Sequence, residues 1–199
     1  YGAGANKVQV STTTAGISAN NWFHVVGIYT PNEDGKIYVN GNLQTVTSGG
    51  TSPSSIDFTG LGLYVGTYYN LTFNFNGPIS NVSIFNKELT STEVMKLYSN
   101  GMPQDLTTFT PAPIAWWTLG SNSFFNGSNF ICKDLIGSND GTSANAGVNA
   151  LQGNTPRSEA NGTGTNNSIP ENLVGTTKYS SNNSWSINMS NAARVQDTP

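Results

Sequence analysis

The sequence predicts an all-β protein: an antiparallel β-sandwich with one short surface helix and a polar β-arm. Three observations point there. Of the 199 residues only 10% are charged and 36% are apolar, with Gly, Ser, Thr and Asn filling much of the rest. That composition suits many turns and hydroxyl- or amide-rich sheet faces better than helices laced with Lys and Glu. Apolar residues also alternate in short runs punctuated by Gly, Asn and Asp, and one segment alone carries both helix-start and helix-stop signals.

In chain order, "WFHVVGIYT" (22–30) puts Trp22, His24, Val26 and Ile28 on one face and Phe23, Val25 and Tyr29 on the other. Bulk on both faces predicts a central strand. "NEDG" supplies turn residues, with Asp34-Gly35 suited to positive φ, and "KIYVNGNLQTV" returns as a second strand bent at Asn40-Gly41. Further strands are predicted at 61–69 ("LGLYVGTYY") and 73–86 ("FNFNGPISNVSIFN"). In "TSTEVMKLYSNG", Thr90 can cap a helix and Glu93 completes a capping box. Val94, Leu97 and Tyr98 form its apolar stripe, and Gly101 and Pro103 stop it.

"LTTFTPAPI" (106–114) reads as an extended connector. Beyond it come a Trp-containing strand, "IAWWTLG", whose adjacent Trp116 and Trp117 place at least one ring in a core, and a turn, "SNDGT". From Gly141 to Pro199 apolar residues thin out, and one more strand is predicted in "SWSINMS" (184–190). A polar arm of this kind cannot offset an ordering entropy of roughly 1–2 kcal/mol per residue by itself. If ordered, it is expected to lean on neighbours, either other copies of the chain or neighbouring structural subunits. The predicted domains are therefore 1–103, 104–114 and 115–199.

The net charge of −3 leaves no basic surface, so no nucleic-acid partner is predicted. No apolar run approaches the roughly 20 residues of a membrane span. Cys132 is the single cysteine and is expected to be a small buried side chain. The chain starts at Tyr1 inside a Gly-rich approach to a strand, without signal peptide or initiator methionine. This predicts a segment of a longer protein.

Two stretches carry a family resemblance. "NNWFHVVGIYTPNEDGKIYVNGNL" (20–43) resembles the W-x-H-V-x-x-x-Y strand and lysine-led Y-V-N-G hairpin of laminin-G-like, concanavalin A-type jelly rolls. "GPISNVSIFNKELTSTEVMKLYSNG" (77–101) resembles that family's closing strand and short E-x-x-x-L-Y helix. The resemblance covers roughly residues 1–102, the later part of such a domain, which implies first strands upstream of Tyr1. "IAWWTLG" and "DLIGSNDGTSAN" are similar to the opening of a second such unit. The whole run, with its tail "NAARVQDTP", is similar to structural proteins of marine bacteriophages, which implies a virion or extracellular location.

Some concanavalin A-type jelly rolls are glycoside hydrolases, which need two carboxyl groups flanking the sugar bond. The laminarinase-like members place them in an E-x-D-x-x-E strand, and no such run occurs here. His24 lacks sequence-local catalytic partners and is expected to be a hydrogen-bonded core residue, while Glu33 and Asp34 belong to a solvated hairpin tip. There is no G-x-S-x-G elbow, and one His and one Cys do not make a zinc site. No catalytic residue and no cofactor is predicted. Relatives often carry calcium at a loop edge, but Asp34 or Asp57 alone falls short of its oxygen-ligand set.

Binding remains. "YVGTYYNLTFNFNG" gathers Tyr68, Tyr69, Asn70, Phe73, Asn74 and Asn76 around a turn. Aromatic rings stack on the apolar faces of sugars and amides take their hydroxyls, so Tyr68, Tyr69, Asn70, Asn74 and Asn76 are the candidate ligand-binding residues. The same aromatics could instead pack the sandwich, with the Asn residues serving turns. Asn-x-Ser/Thr sequences at Asn70, Asn81, Asn126, Asn161, Asn166, Asn182 and Asn188 matter only in a eukaryotic secretory pathway. Three classes of function follow: a virion structural protein (capsid decoration or tail component) with an outward-facing lectin-like domain for cell-surface glycan, a secreted bacterial adhesion module, and a glycosidase fragment.

Overall fold

A computed structural model describes residues 9–13, 15–49, 53–55, 62–67, 74–120, 122–144, 151–152, 186–188 and 194–197. Every strand pairing among them is antiparallel, and they contain a single α-helix. This is the all-β class the composition predicts. The chain divides into two compact units that do not follow chain order: residues 1–59 with 87–101, and residues 60–86 with 102–199.

The first unit contains β1 (Gln9–Ser11), β2 (Val25–Ile28), β3 (Lys36–Val39), β4 (Asn42–Leu43), β5 (Thr47–Gly49) and α1 (Ser91–Tyr98). β2, β3 and β4 form one sheet in that order, and β1 pairs with β5. The predicted hairpin is present, with Ile28 opposite Lys36 and Val25 opposite Val39. Its tip differs in one detail. The left-handed residue is Asn32 (φ 59°), in a turn closed by the Glu33 N–H donating to the Thr30 carbonyl. Gly35 is required for a different reason: a Cβ there would stand 2.8 Å from Cγ2 of Val10. At the second turn Asn40 and Gly41 both have positive φ (50° and 78°), as a two-residue hairpin loop demands.

α1 begins in the predicted capping box. The Thr90 hydroxyl accepts from the Glu93 N–H at 3.2 Å, and the Glu93 carboxylate accepts from the Thr90 N–H at 2.7 Å. Val94 is fully buried and Leu97 and Tyr98 are half-buried, so the apolar stripe faces inward as expected. The helix ends before Gly101, because Ser99 (φ 42°) and Asn100 (φ 54°) already turn left-handed. Gly41 lets α1 sit close to the hairpin: a Cβ there would lie 2.9 Å from the Met95 sulfur and 3.1 Å from the Tyr98 ring.

The second unit contains β6 (Tyr64–Val65), β7 (Pro78–Ile79), β8 (Val82–Ile84), β9 (Ala115–Trp117), β10 (Ser123–Phe125), β11 (Phe130–Cys132), β12 (Gly141–Ala144), β13 (Leu151–Gln152), β14 (Ser186–Asn188) and β15 (Arg194–Asp197). Its largest sheet runs β10-β11-β12-β15-β6; β13-β14-β7 and β8-β9 form smaller ones. The strand expected over 73–86 is broken in two, because Asn81 adopts φ 55° and donates its N–H to the Thr118 carbonyl. Trp116 and Trp117 are both buried, and Trp117 belongs to this unit's apolar core. Ala115, Trp117, Leu119, Phe130 and Cys132 form its centre, with Val65, Ile79, Val82 and Ile84 packed against them.

The Thr/Pro segment is anchored in this unit: Leu106 is buried and Phe109 stands edge-on to Phe85 at 6.1 Å. The described strands of the polar arm also find partners inside the chain. β12 pairs with β11 and β15, β14 with β13 and β7, and β15 with β6. Where the arm is described, its strands have main-chain partners within the chain. The physical reason is that main-chain hydrogen bonding in a ladder does not need apolar side chains.

Candidate functional site

His24 sits just before β2, and the Asn40 turn fastens it there. The Asn40 side-chain oxygen accepts from the His24 N–H at 2.9 Å, and the Asn40 N–H donates to the His24 carbonyl at 2.8 Å. The ring is half-buried against Tyr98, with centroids 5.8 Å apart. It is not the hydrogen-bonded core histidine the sequence predicts, for Nδ1 is buried without a hydrogen-bond partner. Burial lowers its pKa below the ordinary 6.5 by disfavouring the charged form. Glu33 and Asp34 are exposed at the other end of the hairpin, separated from His24 by the whole of β2. That strand spans about 13 Å, so the three do not form one cluster.

Glu88, Glu93, Asp134 and Asp140 serve local structure. Glu88 takes Lys36 and the Thr30 hydroxyl, and Lys36 holds its carboxyl below the usual range. Glu93 is drawn down to about 2, first by the Thr90 N–H and then by Lys87 and the Thr90 hydroxyl. Asp134 is buried at the turn after β11. Burial pushes its pKa up, but the N–H groups of Trp116, Gly137, Ile136 and Asn139 together outweigh that and hold it low. Asp140 binds the Asp134 N–H and Lys133, and Trp117 donates its indole N–H to the Asn139 carbonyl at 2.7 Å. Cys132 is buried, and burial pushes its thiol up to about 12, so it stays protonated. Among the described residues no three His, Cys, Asp or Glu side chains gather as a metal site. A shallow depression of about 530 Å³ lies in the first unit beside Gly41, Met95, Lys96 and Asn100, open over most of its extent.

The edge of β6 has another character. Thr67 and Asn74 form an antiparallel bridge, and the Phe75 N–H donates to the Gly66 carbonyl at 2.8 Å. These contacts close the base of the turn in which the sequence places the ligand-binding residues. Of those residues Asn74 and Asn76 are exposed on its returning side, while Tyr68, Tyr69 and Asn70 lie outside the described residues. Between the two amides stands Phe75, 54% exposed. A Cβ on Gly77 would lie 3.0 Å from the Phe75 ring, so the glycine makes room for the ring to lie where it does. An exposed aromatic plane is a surface on which the apolar face of a sugar ring can stack. Phe75 is not among the predicted ligand residues. The F-N-F-N alternation was its one signal, and alternation alone does not say which face meets solvent.

Comparison with known proteins agrees with this architecture. Residues 1–95 match the laminin G family model described as the concanavalin A-like lectin/glucanases superfamily. The match supports a jelly-roll domain of that kind over nearly the whole stretch, 1–102, where the resemblance was expected. No curated protein and no solved structure matches the chain.

Proposed function

We propose that the chain is a non-catalytic carbohydrate-binding protein that presents a lectin-like surface outward, as a decoration or tail component of a virion. The exposed Phe75 between Asn74 and Asn76 carries the reading. A large ring left half in water is a face that a stacking ligand would cover. The lectin superfamily match over residues 1–95 supports the same ligand class. The employment of Glu88, Glu93, Asp134 and Asp140 in local structural bonds supports a binding role over hydrolysis.

The virion setting rests on the resemblance of the whole run of features. A secreted bacterial adhesion module is the second reading, favoured by the arm strands pairing within their own chain. No helix among the described residues is long and apolar enough to cross a membrane.

A glycan array tests the binding. The double substitution Phe75→Ala, Asn76→Ala should abolish retention of every glycan the parent chain holds. Both side chains are exposed, so stability should change by less than about 0.5 kcal/mol. Unchanged retention by the double variant would overturn this site.

A further inference from the structure

The two ends of the β2–β3 hairpin carry opposite chemistry. At the tip Glu33 and Asp34 are exposed, and neither carboxylate has a hydrogen-bond or ion-pair partner among the described residues. Lys36 feels the field of Glu33 but is held directly by Glu88, so the tip stays acidic. The tip is also preformed. The Glu33 N–H closes the turn on the Thr30 carbonyl at 3.2 Å, and the Tyr29 hydroxyl ties the strand end to the Pro53 carbonyl.

At the other end, beside the Asn40-Gly41 turn, lies the depression of about 530 Å³. Thr92, Met95, Lys96 and Ser99 follow at spacings of three and four, so they share the helix face turned away from buried Val94. Lys36, Lys87 and Lys133 each hold a carboxylate; Lys96, exposed on this depression, holds none among the described residues. Gly41 brings the turn against Met95, whose side chain is 46% exposed. An unbranched thioether adapts its shape to a docking surface. A small-molecule site encloses most of its ligand, whereas this hollow is open over most of its extent and suits a convex loop.

We infer that the depression receives the Glu33-Asp34 tip of a second copy of this chain, whose carboxylates meet Lys96. The four residues of β3 separate tip from depression by about 13 Å, so a chain does not fill its own hollow. The contact uses different patches on the two copies, so each added copy presents a fresh tip or hollow and the association runs head to tail. A net charge of −3 repels copies in general, and the attraction has to be local. Because an exposed ion pair is weak by itself, the association should emerge as the chain is concentrated. Phe75 belongs to the other unit, and the inference does not depend on sugar binding.

Sedimentation velocity of the full chain over a concentration series tests it. The weight-average sedimentation coefficient of the parent should rise with concentration. Lys96→Glu, and separately Glu33→Lys with Asp34→Lys, should hold it at the monomer value with an unchanged melting temperature. The triple variant, which exchanges the charges of tip and depression within one chain, should recover the rise. Thr108→Glu with Ser128→Glu has the net charge of Lys96→Glu but lies in the other unit, and should associate like the parent. A parent that stays monomeric at its highest soluble concentration would overturn the inference, as would association that persists in Lys96→Glu. Association lost in Lys96→Glu but kept in the tip variant would give the depression another occupant and overturn it too, and so would a folded triple variant that remains monomeric. Should a charge reversal prevent folding, Lys96→Gln and Asp34→Asn replace it: a smaller rise in both supports the contact, and an unchanged rise overturns it.

Discussion

Glu93 and Asp134 are two carboxylates doing similar work in different surroundings. Each accepts backbone N–H groups at the start of a local structure, the first at the cap of α1 and the second in the turn that follows β11. Each is held below its ordinary pKa by those donors. Glu93 stands at a surface where water can replace it, and its partners are one backbone N–H, one hydroxyl and Lys87. Asp134 is buried and serves four N–H groups that water does not reach as readily. Burial, more than the number of bonds, therefore sets what each is worth: an unmade hydrogen bond is costly only where solvent cannot replace it.

The comparison can be broken most sharply at Asp134. Asp134→Ala should destabilise by about 4 kcal/mol, since several buried donors lose their acceptor at once, measured as a shift of the urea midpoint at constant slope. A loss below about 1 kcal/mol would mean that the turn re-forms without it. The capping box should respond more gently. Thr90→Ala should cost about 1 kcal/mol by removing the N-cap acceptor, read from the same unfolding curve. Acid should reach the same cap from the other side. Glu93 has a folded pKa of about 2 against an ordinary 4.5, so its contribution is complete above 4.5 and is lost as pH falls through 2. Helicity followed by circular dichroism should decline within that window and hold above it.

The smallest effect belongs to His24, the third titrating group in the comparison. Its folded pKa is depressed by burial, so below 6.5 the unfolded chain binds the proton first. Stability should be greatest above 6.5 and fall as the solution is acidified. His24→Phe keeps a ring against Tyr98 and should flatten melting temperature against pH just below 6.5. A slope unchanged by the substitution would assign that pH dependence to the carboxylates instead.

Much of this molecule can be read without coordinates, and the legible parts share a cause. The Asn40-Gly41 turn and the Thr90–Glu93 box are each made by residues within four positions of one another, so their chemistry is complete in the local sequence. What escaped was nonlocal. Asp34-Gly35 looks like a left-handed turn, but Gly35 is there because Val10 approaches it from a distant strand. The alternation of 73–86 reads as one strand, yet the hydrogen bond from Asn81 to Thr118 divides it. Phe75 could not be told from a core residue, because its neighbours across β6 come from both nearby and far along the chain.

The sequence by itself determined the class: low charge, period-two alternation and Asn-Gly punctuation leave little besides antiparallel strands, and the capping box makes the helix. Only the tertiary structure decided which strands become neighbours. Setting Val195 opposite Val65 requires pairing segments about 130 positions apart. That pairing is set by hydrogen-bonded register between strands, a quantity that no local pattern contains.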